Sequence, residues 1–203
     1  MTDFLFNGPA GALHTLVLAH GAGGAMDSAF LNRVAEGVAA CGIRVVRFEF
    51  PYMAARRTGG KSVAPDREPV LLESWRNVVA EVGGGESLSI GGKSMGGRMA
   101  SMVADELHVR SLICLGYPFH PPGQPQKLRT KHLADLKTPA LIIQGERDPF
   151  GTREDVAHYE LSKAIRVEWL RDGDHSFKPR ASSGTTEKEN LQRAIDLICH
   201  FCA

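Results

Sequence analysis

Short apolar runs alternate with helical patterns along this chain of 203 residues, and the alternation limits the fold more than any other feature. The runs are rich in β-branched residues and end at glycine or at turn residues, which is typical of strands covered on both faces. Six such strands are predicted, at residues 15–19, 43–48, 87–90, 111–115, 140–144 and 166–170. A weaker run at 4–7 or 12–14 would add an edge strand.

Helical spacing of apolar side chains fills the intervals between these strands. The predicted helices cover residues 27–41, 68–82, 94–107, 152–163 and 186–201. Strand–helix alternation favours βαβ units, and so an α/β fold with a mostly parallel, doubly wound sheet of about six to seven strands. Because no linker or repeat divides the chain, we expect residues 1–203 to form a single domain without a large cap.

Charge and hydropathy exclude several classes of partner. The chain has 24 basic and 23 acidic residues, so its net charge of +1 produces no field that would gather nucleic acid or an anionic membrane. Its N-terminus lacks a basic, apolar signal, and no stretch reaches the roughly 20 apolar residues of a membrane span. We therefore expect a cytoplasmic protein that binds neither nucleic acid nor membrane.

Four cysteines are present, and three of them lie inside apolar runs, where they are expected to be small buried hydrophobic residues. Cys199 and Cys202 form a C-x-x-C pattern at the end of the last predicted helix. A zinc site would need a second pair, and a redox motif would open a helix rather than end it. The sequence thus predicts no metal site.

The segment Gly92-Lys93-Ser94-Met95-Gly96 matches G-x-S-x-G. The pattern is short, but it follows a predicted strand and opens a predicted helix, as a nucleophile turn requires. Small residues on both sides would let neighbouring backbones pass closely. Ser94 is therefore the candidate nucleophile, although a plain glycine-rich strand–helix turn would have the same pattern.

A serine hydroxyl needs a base, and the base needs an orienting carboxylate. Asp148 and His175 follow two later predicted strands, in the order acid then histidine, so both lie at the edge where Ser94 lies. This predicts a Ser94–His175–Asp148 triad. Three other acids stay open as alternatives to Asp148: Glu146, Asp172 and Asp174.

Acyl transfer also needs hydrogen-bond donors aimed at the developing oxyanion. The backbone N–H of Met95, directly after the serine, is one expected donor. The loop His20-Gly21-Ala22-Gly23-Gly24 follows an early strand, and the N–H of Ala22 is the expected second donor, with Gly23 as the alternative. A dinucleotide-binding loop is the alternative interpretation of this segment, but the segment lacks the third glycine of the G-x-G-x-x-G motif.

The order of four motifs, HGAGG, GGKSMGGR, GERDPFG and GDHSF, resembles the α/β-hydrolase superfamily over residues 12–200. It looks most like the compact dienelactone-hydrolase-like branch, and it is similar to short hydrolase-like proteins related to the non-specific lethal 3 homologue, a chromatin-complex subunit. The resemblance implies an α/β-hydrolase fold and a hydrolase activity. Dienelactone hydrolase itself uses a cysteine nucleophile, and this chain has Ser94 instead, so that enzyme's reaction does not carry over.

We therefore expect a serine hydrolase that cleaves a small or extended carboxylic ester or thioester without a cofactor. A peptidase or a C–C hydrolase could use the same triad, and a non-catalytic hydrolase-fold interaction protein is a further alternative.

Side chains near predicted strand ends are candidates for the substrate pocket. The aromatic candidates are Tyr52, Tyr117, Phe119, Phe150 and Phe177. Gly23, in the loop after the early strand, is a further candidate. The loop 51–66 also holds Arg56, Arg57 and Lys61, of which Arg57 is the first candidate for binding an anionic group on the substrate.

Overall fold

The computed structural model describes residues 2–59 and 64–202. The strands in these ranges form a single seven-stranded sheet. The strand order is β1-β3-β2-β4-β5-β6-β7, with β1 antiparallel to β3 and every other neighbouring pair parallel. The predicted mostly parallel sheet is thus confirmed, and the edge strand lies in the first of the two segments proposed. The strands are β1 (Leu5–Asn7), β2 (Thr15–Ala19), β3 (Arg44–Phe48), β4 (Leu88–Lys93), β5 (Ser111–Leu115), β6 (Ala140–Gly145) and β7 (Ile165–Leu170).

Six α-helices lie in the described ranges, and four of them agree with the predicted set to within a few residues. They are α1 (Ala29–Ala40), α2 (Pro51–Arg57), α3 (Glu68–Val82), α4 (Met95–Val103), α5 (Arg153–Val156) and α6 (Glu187–Cys202). None of the helices in these ranges has the length and apolar character that a bilayer crossing requires.

Two helices differ from the sequence-based expectation for local reasons. The helix α2 was not predicted; Pro51 occupies its first turn, and the Asp66 carboxylate accepts a hydrogen bond from the Tyr52 N–H at 2.9 Å. The helix α5 is shorter than the predicted 152–163. Beyond it, the Ser162 hydroxyl donates to the carbonyl oxygen of Leu136 at 2.6 Å, which draws the chain out of a helical path.

Helices cover both faces of the sheet, as a doubly wound fold requires. Successive residues of a strand point to opposite faces, so Leu16 and Leu18 pack in one core while Val17 packs in the other. The first core includes buried residues of α1 and α6, and the second includes residues of α2, α3 and α4. The sheet is therefore buried on both sides.

One edge of the sheet collects the loops that carry the candidate residues. Because β2, β4, β6 and β7 run parallel, their carboxyl ends meet there, and open α/β sheets bind ligands at this edge. The 116–139 connection between β5 and β6 contains one short 3-10 turn, Lys131–Leu133, rather than a cap domain. The edge is therefore left open.

The cysteines differ from the expectation. Cys41, at the end of α1, and Cys199, in α6, form a disulfide with a Cα–Cα distance of 6.2 Å. The helical repeat turns Cys199 toward α1, which the local apolar run did not indicate. Cys114 and Cys202 are buried free thiols, as predicted for small core residues.

This disulfide makes a prediction about stability. The two cysteines are 158 residues apart, so the bond restricts most of the unfolded chain. We expect reduction to lower the free energy of unfolding by about 2–5 kcal/mol. Urea denaturation of the oxidised protein with and without dithiothreitol measures the change. The double variant Cys41→Ser/Cys199→Ser is the control, and its stability should not respond to dithiothreitol.

Candidate active site

Ser94 lies at a sharp turn between β4 and α4. Its backbone has φ +51° and ψ −115°, a conformation that non-glycine residues rarely adopt. The Ser94 N–H donates to the carbonyl oxygen of Leu115 at 3.0 Å, which ties the turn to β5. A Cβ atom at Gly96 would lie 2.6 Å from the carbonyl oxygen of His20, so glycine is needed where α4 starts. The turn therefore holds the serine outward above the sheet edge.

Two hydrogen bonds connect three side chains in line. The Oγ of Ser94 lies 2.9 Å from Nε2 of His175, and Nδ1 of the same imidazole lies 2.8 Å from Oδ2 of Asp148. Both distances are within normal hydrogen-bond range. The structure thus brings together the three residues that the sequence analysis selected.

The Asp148 carboxylate is fully buried and receives further hydrogen bonds. Its Oδ1 accepts from the Phe150 N–H at 2.9 Å, and its Oδ2 accepts from Nε2 of Gln144 at 2.9 Å. Gln144 also donates to the carbonyl oxygen of Tyr117 and accepts from the Tyr117 N–H. The sequence analysis missed Gln144, whose only signal was a polar residue at the end of an apolar strand.

The alternative acids have other partners. Asp172 pairs with Arg180, and its N–H donates to the Glu146 carboxylate at 2.9 Å. The Oδ1 of Asp174 accepts from the Ser176 N–H at 2.8 Å. Among the described residues, only Asp148 has a carboxylate oxygen within hydrogen-bond distance of the His175 ring.

Buried side chains hold the loop after β2 from below. The His20 ring donates through Nδ1 to the carbonyl oxygen of Gly21 at 2.7 Å and accepts the Phe50 N–H at Nε2 at 3.1 Å. Burial lowers the pKa of His20, so the ring is neutral. The Tyr52 hydroxyl donates to the carbonyl oxygen of Ala22 at 3.0 Å, and burial raises its pKa to about 12. The loop is therefore fixed in place.

Ala22 and Met95, the two residues expected to donate to an oxyanion, lie in the same cavity as Ser94. Met95 is the first residue of α4, and the first N–H groups of a helix have no acceptor within it. The helix also places its positive end at this point. Both features favour a developing negative charge beside Ser94.

Two open cavities meet at Ser94, and they share Ala22, Ser94 and Phe150. We name them by one residue each. The His175 cavity, of about 390 Å³, is also lined by Gly21, Gly23, Gly24, Ser28, Phe30, Leu31, Lys93, His175 and Ser176. The Arg129 cavity, of about 380 Å³, is also lined by Pro65, Asp66, Glu68, Leu71, Met95, Arg98, Met99, Pro118 and Arg129.

The two described basic side chains of the 51–66 loop, Arg56 and Arg57, line neither cavity. Arg57 donates to both carboxylate oxygens of Glu49 and pairs with Asp27 at 2.7 Å, and it lines a separate cavity of about 320 Å³. Arg56 lies over the Tyr52 ring at 5.3 Å. The expectation that Arg57 binds substrate is therefore corrected, because its charge is already paired; Lys61 lies outside the described residues.

Four of the five aromatic candidates belong to the core. The buried candidates, which line neither cavity, are Tyr52, Tyr117, Phe119 and Phe177. Each follows a strand end, as expected, but its ring turns inward. Phe150 does line both cavities, with its ring centroid 4.3 Å from that of His175, and Gly23 lines the His175 cavity.

Lys93, directly before the nucleophile, contacts the histidine loop. Its Nζ donates to the carbonyl oxygen of His175 at 2.5 Å and lies 5.6 Å from the Phe30 ring centroid and 5.9 Å from that of Phe177. A Cβ atom at Gly116 would lie 2.8 Å from this Nζ, so the absence of a side chain there makes room for the contact. Lys93 thus links the end of β4 to the loop that carries His175.

Burial lowers the pKa of Lys93 to about 8, and the negative charges of Asp148 and Asp174 oppose this shift only in part. No described carboxylate lies within ion-pair distance of its ammonium group. The lysine therefore changes its charge close to physiological pH.

Comparison with known proteins places this geometry among the α/β hydrolases. The model of the alpha/beta hydrolase domain family matches residues 12–203. An alpha-beta serine hydrolase homologue from Coxiella burnetii superposes with a TM-score of 0.73 at 20% identity, covering 100% of this chain and 92% of that one. A serine hydrolase without a lid from Xanthomonas campestris gives 0.72 at 20% identity, covering 98% and 87%.

Dienelactone hydrolase from Anabaena variabilis gives a TM-score of 0.71 at 19% identity, covering 100% of this chain and 93% of that one. At these identities the structures establish a shared fold. The predicted α/β-hydrolase fold without a large cap is thereby confirmed. The similarity to proteins related to the non-specific lethal 3 homologue stays a prediction.

The buried lysine makes a prediction about pH. An unfolded lysine has a pKa of about 10.4, so between pH 8 and pH 10 the unfolded chain binds more protons than the folded one. Wild-type stability should therefore rise relative to Lys93→Met by about 1 kcal/mol or more over this range. Urea denaturation at pH 7, 8, 9 and 10 measures the difference. Lys163→Met, which removes an exposed lysine, is the control; an equal pH response in both variants would contradict the assignment.

Proposed function

The chain belongs to the alpha/beta hydrolase domain family, and we propose that it is a serine hydrolase that cleaves carboxylic esters or thioesters through an acyl-enzyme on Ser94. The observation that carries this proposal is the line of two hydrogen bonds from Ser94 Oγ through the His175 imidazole to Asp148. Activation of a serine needs this arrangement of nucleophile, base and orienting acid. A merely structural turn would not need it.

The first step is attack on the carbonyl carbon. His175 Nε2 takes the Ser94 proton, and Oγ forms a bond to that carbon. The carbonyl oxygen becomes an oxyanion, which the N–H groups of Ala22 and Met95 stabilise. The imidazolium then donates its proton to the leaving oxygen or sulfur as the bond to the leaving group breaks.

The second step reverses these roles. His175 takes a proton from water, the hydroxide attacks the acyl carbon, and the Ser94 oxygen leaves with the proton. Asp148 keeps the imidazole in the tautomer that carries hydrogen on Nδ1 and stabilises its charged form. Gln144 and the Phe150 N–H keep that carboxylate in place, so the acid itself has little freedom to move.

The open site favours small or extended substrates. The β5–β6 connection adds no cap, and both cavities at Ser94 are open grooves of less than 400 Å³. We further propose that residues 1–203 act as one hydrolase domain, because the family match and the single sheet both extend across the chain. An amide or a C–C bond could be cleaved by the same triad, and a substrate panel distinguishes these reactions.

A fluorophosphonate probe tests whether Ser94 is activated. The purified protein should be labelled covalently, and Ser94→Ala should lose the label completely, because the activated oxygen is gone. Ser176→Ala is the matched control, since Ser176 is exposed and lines the His175 cavity, while the imidazole has its hydrogen bonds with Ser94 and Asp148; this variant should still be labelled. A folded wild-type protein that resists labelling would overturn the proposal and favour a non-catalytic binding protein.

A further inference from the structure

The Arg129 cavity combines apolar walls with two guanidinium groups. Leu71, Met99 and Pro118 are among its lining residues, and Arg98 and Arg129 add the positive charges. Ser94 and Met95 line the same cavity, so it is continuous with the reacting centre. A substrate group that extends from Ser94 into this cavity would meet an apolar surface and at least one cation.

The two arginines differ in how their charges are compensated. Arg98 pairs with Glu68 at 2.8 Å. Arg129 has no carboxylate oxygen within ion-pair distance among the described residues. The remaining carboxylate in the cavity, that of Asp66, accepts the Tyr52 N–H at the start of α2. In the part of the chain that the structure describes, Arg129 is thus a cation without a counter-ion.

The surroundings of Arg129 make this charge unfavourable until an anion binds. Burial lowers its pKa, and repulsion by Arg98 lowers it further. An arginine nevertheless stays protonated in proteins, so the positive charge persists. Partial burial of a guanidinium without an acidic partner is unfavourable, and an anion bound in the cavity would offset this cost.

The backbone of Arg129 is held on both sides. Its N–H donates to the carbonyl oxygen of Phe119 at 2.8 Å, and its own carbonyl oxygen accepts from the Tyr117 hydroxyl at 2.9 Å. Both aromatic rings are fully buried. These two residues, which the sequence analysis expected in the pocket wall, therefore hold the backbone of the loop that carries Arg129 beside the cavity.

The position of His175 determines which part of the substrate enters which cavity. The leaving group must lie within reach of His175 Nε2, because this atom protonates it. His175 lines the His175 cavity but not the Arg129 cavity. The leaving group therefore occupies the former, and the acyl chain extends into the latter.

We propose that Arg129 binds a carboxylate at the far end of the acyl group, so that the preferred substrates are half-esters or half-thioesters of short dicarboxylic acids. This inference rests on the proposed acyl-enzyme function of Ser94. The reaction consumes one water, breaks the bond between the acyl carbon and the leaving oxygen or sulfur, and releases a dicarboxylic acid and an alcohol or thiol. Arg98 is already paired with Glu68, which leaves the guanidinium of Arg129 to bind one carboxylate.

Kinetics on two matched esters test the inference. The para-nitrophenyl half-ester of glutaric acid and para-nitrophenyl pentanoate share a leaving group and a five-carbon acyl chain, and they differ in the terminal charge. In wild type, kcat/KM should be higher for the half-ester. In Arg129→Met, the ratio of the two kcat/KM values should fall about tenfold or more, as loss of a charge-assisted hydrogen bond implies.

Two further variants keep the test specific. Lys127→Met removes an exposed charge from the same loop outside the cavity, and its ratio should match that of wild type. Arg129→Lys keeps the charge but not the fork of donors, so it should retain part of the preference. An unchanged ratio in Arg129→Met, with both esters still hydrolysed, would overturn the carboxylate site and leave the serine hydrolase intact.

A binding experiment separates this inference from the function on which it rests. Calorimetry with monomethyl glutarate uses Ser94→Ala protein, so it needs no turnover. The double variant Ser94→Ala/Arg129→Met should bind this ester about tenfold or more weakly than Ser94→Ala. If wild type hydrolyses no ester but binding still depends on Arg129, the carboxylate site stands and the hydrolase function fails. If neither turnover nor binding of monomethyl glutarate is detected, both proposals fail.

Discussion

The turn at Ser94 is the constraint on which the rest of the site depends. A non-glycine residue at positive φ is strained by about 1–3 kcal/mol, and such a conformation persists only where its surroundings hold it. Here the Ser94 N–H is bound to β5, and the glycines of the turn allow α4 to start against the end of β2. That close approach sets the distance between Ser94 and the loop 20–24. It also presents the first N–H groups of α4 to the reacting centre.

Chain order and strand direction were enough to predict the three central residues. Ser94, Asp148 and His175 each follow a strand of one parallel sheet, so their loops had to meet at one edge. This reasoning could not identify residues that support the site through contacts with another strand or loop. Gln144 acts through contacts with another strand's loop, and Lys93 acts through a carbonyl oxygen 82 residues away. Gln144 is buried and Lys93 is partly buried, and the residue type alone does not indicate a partner for either.

The expectations that were wrong share a physical cause. Position after a strand shows that a side chain is near the site, but not whether it points to the cavity or to the core. Tyr117 and Phe119 turned inward because burying an aromatic ring is strongly favourable. Arg57 was drawn away by Glu49 and Asp27, on a helix whose start depends on the side chain of Asp66. The Cys41–Cys199 bond likewise joins segments far apart in the chain, and a reducing cytoplasm, the predicted location, would oppose it.

Without a cap, selectivity must come from groups mounted on the sheet edge itself. Water reaches an open groove easily and weakens every charge–charge interaction in it, so most surface cations near Ser94 could distinguish substrates only poorly. A cation acts selectively where the protein has already displaced part of that water and supplied no counter-ion. Within the described part of the chain Arg129 meets both conditions, since it is partly buried and has no carboxylate within ion-pair distance. Its backbone is held by the carbonyl oxygen of Phe119 and the hydroxyl of Tyr117. The core position of Tyr117 and Phe119 and the proposed selectivity of the open site therefore have the same structural origin.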